Sequence, residues 1–251
     1  MKSRILVALA LLALGVGLAA PALAAAPHPS DQPRHTLRNG TSTNWSGYAV
    51  DAQNVTDVRG TWVVPAVDCA GVQDQAASSV WVGIDGDTNN TVEQTGTDQL
   101  CDGQHAVSDA WIEMYPSMGR TLIKLPVHPG DRISAEVQWL KTQVFSLRLT
   151  NETTGQRFQT QTGHHAAKAS AEWIVECPGT PGVLPLADFG TARFSNASAT
   201  IGGTTGPINA KPWADAVEPI TMVAADETTV RAVPSGLRQS GSGFSVTWQH
   251  R

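Results

Sequence analysis

Apolar and polar positions along this chain fall into short runs with a two-residue period, broken by Gly, Pro, Asn and Asp. Residues 58–64 are β-rich and stop at Pro65, and residues 79–84 run into the turn Asp85-Gly86-Asp87. Residues 110–115 alternate, so that Trp111, Glu113 and Tyr115 face one way and Ile112 and Met114 the other. Residues 121–127 and 133–140 read as a hairpin through Pro129-Gly130-Asp131, and residues 144–150 and 156–162 as another through residues 151–155. Further strands are expected at residues 171–177, 189–200, 220–224, 229–233 and 244–248. Past the N-terminal segment, no stretch of ten residues carries an apolar stripe of helical period. The pattern predicts an all-β fold, a sandwich or a barrel, in one domain without a linker or a fixed repeat.

The first segment differs from the rest. Lys2 and Arg4 precede a nearly unbroken apolar run over residues 5–20, and Ala22-Leu23-Ala24 is a small-residue cleavage site. Residues 1–24 are expected to be a signal peptide, residues 25–42 a polar, Pro-rich arm or short pro-segment, and residues 43–251 the domain itself. Cleavage would move the formal net charge of −5 two units further negative. Lys and Arg are scattered, so nucleic acid is not an expected partner. A secreted, extracellular protein is expected, off the membrane once the signal is gone, and a monomer.

Export also changes the reading of the three cysteines. Cys69 and Cys101 could close a loop of roughly thirty residues, a crosslink worth about 3–4 kcal/mol in the chain-entropy model. That pairing is favoured, although spacing alone leaves other pairings open. Cys177 is then expected to be a small buried hydrophobe.

Candidate chemistry is sparse. The sequence contains no H-E-x-x-H zinc motif, no G-x-S-x-G elbow and no phosphate-binding loop. His164-His165 stands at a polar hairpin end and reads as a solvated pair. Only eight Glu follow residue 24, and Glu113, Glu172 and Glu176 lie in otherwise apolar strands. A carboxylate in such a setting is paired or has its pKa raised, and a raised pKa is what a general acid/base in mildly acidic conditions needs. Glu172, Ile174 and Glu176 share one strand face, with Glu172 and Glu176 about 13 Å apart at roughly 3.3 Å per residue. That distance is too long for the two to act as a simple pair, so one of them is expected to work with a polar residue from another strand.

Six segments, in order over about 200 residues, resemble the eqolisin family of glutamic peptidases. They are Asn44-Trp45-Ser46-Gly47-Tyr48, Trp81-Val82-Gly83-Ile84-Asp85-Gly86-Asp87, Gln94-Thr95-Gly96, Asp109-Ala110-Trp111-Ile112-Glu113-Met114-Tyr115-Pro116, residues 151–156 and Ala171-Glu172-Trp173-Ile174-Val175-Glu176. The resemblance implies an antiparallel β-sandwich of two large sheets, a lectin-like jelly roll, that cleaves proteins in acid without metal or cofactor. It implies a catalytic pair of Gln94 and Glu176, with Trp81, Asp85, Asp109, Trp111 and Glu113 lining a cleft for a protein or peptide substrate. In this expectation Glu176 moves the protons while Gln94 orients water and stabilises the oxyanion. Two positions depart from the fungal members: Glu93 stands where they carry an apolar residue, and Cys177 where they carry Asp. The alternative is a carbohydrate-active sandwich, either a glycosidase or a lectin-like binding module.

Overall fold

In the computed structural model, which describes residues 40–179 and 184–251, the short alternating runs pair almost entirely antiparallel. The expected signal peptide and most of the expected arm lie outside the described residues. In chain order the strands are β1 (Thr41–Ser42), β2 (Trp45–Asp51), β3 (Val55–Val63), β4 (Gln75–Ile84), β5 (Val92–Asp102), β6 (His105–Tyr115), β7 (Met118–Leu122) and β8 (Arg132–Lys141). They continue with β9 (Val144–Asn151), β10 (Gln156–Gly163), β11 (Ser170–Glu176), β12 (Thr191–Ile201), β13 (Thr204–Pro207), β14 (Val217–Val223), β15 (Val230–Pro234) and β16 (Phe244–Trp248).

The strands form two layers. The front sheet runs β14-β2-β11-β4-β5-β6-β7, and the rear sheet β10-β9-β8-β3-β12-β16-β15-β14. Strand β14 serves both: Val217 to Ile220 pair with β2, and Met222 and Val223 pair with β15 past a register shift. Thr41 and Ser42, expected in the arm, already belong to the fold through a parallel pairing with β14.

Alternation explains the layering. On β11, Ala171, Trp173 and Val175 point between the sheets and join Val82, Trp62, Phe145 and Leu147 in one core. Trp62 of the rear sheet donates its indole N–H to Thr97 of the front sheet at 3.0 Å, and Trp173 donates to the Arg59 carbonyl at 2.6 Å. On the far face of the rear sheet, Arg59 and Arg148 pair with Glu136, which leaves that face polar. The front sheet differs, because its outer face buries a second apolar cluster of Trp45, Ala49, Trp81, Trp111, Ile174 and Ile220. This apolar cluster shares the outer face with rows of carboxylates and amides.

One expected hairpin does not form. Residues 121–127 and 133–140 separate: β7 pairs with β6 in the front sheet, whereas β8 pairs with β3 and β9 in the rear sheet. Leu125 and Val127 plug the core as the chain crosses between layers, and Pro126 has no N–H to offer a ladder. The β9–β10 hairpin forms as expected. Cys69 and Cys101 are joined by a disulfide, and Cys177 is buried and lies outside it.

Candidate active site

The register of the front sheet places its outward side chains in rows across the strands. One row reads Glu218, Ala49, Glu172, Gly83, Gln94, Glu113 on β14, β2, β11, β4, β5 and β6. The next reads Ile174, Trp81, Gly96, Trp111 on β11, β4, β5 and β6. A third reads Trp45, Glu176, Ser79, Asp98, Asp109 on β2, β11, β4, β5 and β6.

These rows decide which carboxylate Gln94 can reach. Glu172 lies two strands away in the same row, about 10 Å between Cα atoms at ~4.8 Å per strand. Only Gly83 intervenes in the row; it brings no side chain of its own, and the Trp81 ring leans over it from the next row. Glu176 is two strands over and four residues along, roughly 16 Å by the same spacings. The row carrying Trp81 lies between. The structure therefore brings together Gln94, Glu172 and Glu113, and sets the expected partner Glu176 apart from Gln94.

Each carboxylate has its own environment. Glu113 is buried and accepts the Gln94 amide N–H through Oε2 at 2.7 Å. That bond fixes the amide plane and leaves Gln94 Oε1 buried without a hydrogen-bond partner among the described residues. Glu172 is fully buried, and neither of its oxygens makes a well-formed hydrogen bond there. Burial holds its carboxyl protonated well above the ordinary glutamate range; Asp87, Asp85 and Glu93 add to the shift, and the Ser170 hydroxyl opposes it. By contrast, Glu176 accepts the Trp81 indole N–H at 2.7 Å and the Asn44 amide at 3.3 Å. Trp81 packs edge-on against Trp45, with centroids 5.0 Å apart. Glu176 thus holds the Trp81 ring in place.

The remaining expected residues separate in the same way. Trp111 is buried on the outer face with the Arg120 guanidinium 5.0 Å over its ring. Arg120 bonds Asp98 at 2.8 and 2.9 Å, and Ser79 also donates to Asp98. Asp109, half-buried, sits across from Asp98. Asp85 is fully buried, and its oxygens accept the backbone N–H groups of Lys168 and Ala169 at 2.7 Å each and the Asn89 amide at 2.8 Å. Its geometry anchors the connection leading into β11; a contact with substrate was expected instead. At the mouth beyond Glu172, Asp87 has its pKa raised to about 6 by burial and by the neighbouring Glu218 and Asp51.

His164 overturns the expectation of a solvated pair. It is 4% exposed and its Nε2 lies 3.2 Å from Glu93 Oε1, whereas His165 is exposed. Sequence reasoning set Glu172 aside, passed over Arg120 and Asp98, and read His164 wrongly. For Glu172 the distinguishing fact is its register opposite Gly83 and Gln94, which lies outside its own strand's pattern. Among the described residues, no three His, Cys, Asp or Glu side chains are placed to hold a metal ion.

Comparison with known proteins identifies the family. Residues 43–235 match the Peptidase A4 family. Aspergillopepsin-2 of Aspergillus niger is 32% identical over 201 residues, 68% of this chain and 71% of that protein. Scytalidopepsin B of Scytalidium lignicola is 32% identical over 174 residues, 64% of this chain and 65% of that protein. Among solved structures, a scytalido-glutamic peptidase with a peptide-based transition state analog superposes with a TM-score of 0.67 at 26% identity, covering 82% of this chain and 98% of that one. Aspergilloglutamic peptidase from Aspergillus niger gives 0.57 at 31% identity, covering 69% and 99%. The peptidase reading therefore stands over the carbohydrate-active alternative, and the chain belongs to the peptidase A4 family, the eqolisin glutamic peptidases.

Proposed function

We propose that this chain is a secreted acid endopeptidase in which Glu172 transfers the protons and Gln94 positions the water. The observation that carries this reading is the register row in which Gln94 and Glu172 face each other across Gly83. It moves the proton-transfer role from Glu176, where the sequence alone put it, to Glu172. A transition state analog bound by a solved relative supports an extended peptide as the substrate class. Such a peptide would lie over Gly83 and Gly96, between the Trp81 and Trp111 rings.

The chemistry follows from the residue types. A protonated Glu172 gives its proton to the scissile carbonyl oxygen as water, oriented by Gln94 Oε1, adds to the carbon. The Glu172 carboxylate then takes the proton that the water sheds, which leaves a neutral tetrahedral diol. In the second half Glu172 passes that proton to the amide nitrogen and the C–N bond breaks. One hydroxyl returns its proton to Glu172 as the new carboxyl forms. Positioned proton transfer of this kind contributes about 10²–10⁴-fold. Gln94 does not titrate in acid, so the water-binding group keeps its form across the working range.

The test is cleavage of denatured casein across pH 2–8 by the mature protein, with and without EDTA. Activity confined to acid, insensitive to EDTA and lost in Gln94→Ala is expected. Full activity in a folded Gln94→Ala variant would overturn the reading.

A further inference from the structure

Glu93 is adjacent to Gln94 in sequence but faces the other way. Its register partners are Ile84 and Met114, both in the core between the sheets. His164 reaches the same place from the rear sheet, immediately after β10, with its own backbone N–H held by the Gln143 carbonyl at 2.8 Å. Both side chains are essentially inaccessible, at 0% and 1% exposure, and Nε2 and Oε1 are 3.2 Å apart. The approach is an ion-pair distance without hydrogen-bond alignment, and it places the edge of the rear sheet against the strand that carries Gln94.

We propose that His164 and Glu93 form a proton-linked tether between the two sheets that positions Gln94 in acid and releases it when Glu93 ionises, setting the neutral limb of the activity. This rests on the role given to Gln94 above.

The titratable groups facing the pair are Asp85 from the β4–β5 connection, Glu172 from β11 and His165 next in the chain. Lys168 contributes its backbone N–H to Asp85, while its ammonium lies 3.8 Å over the Trp139 ring. Below its raised pKa Glu93 is neutral, and Asp85 is the acidic group that favours the charged form of His164. As pH rises His164 loses its charge and Glu93, through its raised pKa, gains one beside the buried Asp85. Such an arrangement is strongly unfavourable. Burial and the Asp85 charge both raise the Glu93 pKa, whereas burial lowers that of His164 against the pull of Asp85. The stability that Glu93 contributes is thus full below the ordinary glutamate value of about 4.3 and lost as pH rises through its raised value. His164 acts with the opposite sign, its cost falling on the acid side, where Asp85 offsets it. The connection of residues 164–169 also delivers the two N–H groups that hold Asp85 and then enters β11. Opening the tether therefore disturbs the Glu172 strand together with Gln94.

The test is Glu93→Gln, which keeps the shape and cannot ionise. Acid kcat/KM within about twofold of wild type is expected, with the neutral limb displaced upward by at least one pH unit. The thermal midpoint is expected to rise relative to wild type at pH 7 and to stay unchanged at pH 4. Wild-type profiles for both activity and midpoint would overturn the proposal. If Glu93→Gln does not fold, titration of the His164 ring protons by NMR in the wild-type protein takes its place. A second inflection in the His164 ring shifts that tracks the ionisation of Glu93 supports the tether, and a single inflection overturns it. The thermal and NMR measurements do not depend on peptidase activity, so they separate failure of the tether from failure of the Gln94 assignment.

Discussion

Gln94 and Glu172 occupy one register row of the front sheet with only Gly83 between them. A glycine there opens a gap about two strand spacings wide, roughly 10 Å, bounded by an amide on one side and a buried carboxyl on the other. Glu113 fixes the amide from behind, and Trp81 leans over the glycine from the next row.

The gap itself can be closed. A Cβ at Gly83 would meet Trp81 Cζ3 at 2.9 Å and the Gln94 Cβ at 3.2 Å. Gly83→Ala should lower kcat/KM at least tenfold, while strain of this kind costs about 1–3 kcal/mol of stability. Gly119→Ala, with nothing within 4 Å of the added Cβ, is the control and should leave both unchanged. Steady-state kinetics beside thermal melts of the two variants check this.

Glu113 acts on the reaction through Gln94. Glu113→Leu removes the acceptor of the 2.7 Å bond and lets the amide rotate. It should reduce kcat by about 10–100-fold, corresponding to ~1.4–2.7 kcal/mol, with KM changed much less. An unaltered kcat in a folded variant would show that the amide needs no such anchor.

Asp87 gives a pH dependence with a defined sign. Its folded pKa, about 6, lies above the ordinary value of 3.8. Its contribution is therefore full below the ordinary value and is lost as pH rises through about 6. Asp87→Asn should melt progressively higher relative to wild type as pH is raised from 4 to 7. A constant difference across that range would remove Asp87 as the source.

The sequence disclosed the fold more readily than the site. Alternation at residues 110–115, 144–150 and 171–177 gave the correct strands, because one face of each packs in the core between the sheets. Strand β5, which carries Gln94, was not legible as a strand. Glu93, Gln94, Thr95, Thr97, Asp98 and Gln99 are polar on both of its faces, and each is accommodated by a partner far along the chain. Gly96 is required within that strand, because a Cβ there would fall 2.4 Å from the Val80 carbonyl oxygen and 2.6 Å from the Trp81 Cβ. The choice between Glu172 and Glu176 depended on register across β11, β4 and β5, which no periodicity within one strand contains. His164 was misread for a related reason: its partner Glu93 is on the opposite sheet, 71 positions back in the numbering.

The most direct measurement compares Glu172→Gln with Glu176→Gln in kcat/KM for a denatured protein substrate at pH 3–4, each shown to be folded by its thermal midpoint. Loss of at least 10³-fold is expected for Glu172→Gln. Glu176→Gln should lose no more than about 30-fold, through a loosened Trp81 and a raised KM. The reverse order, with Glu176→Gln inactive and Glu172→Gln active, would contradict the assignment.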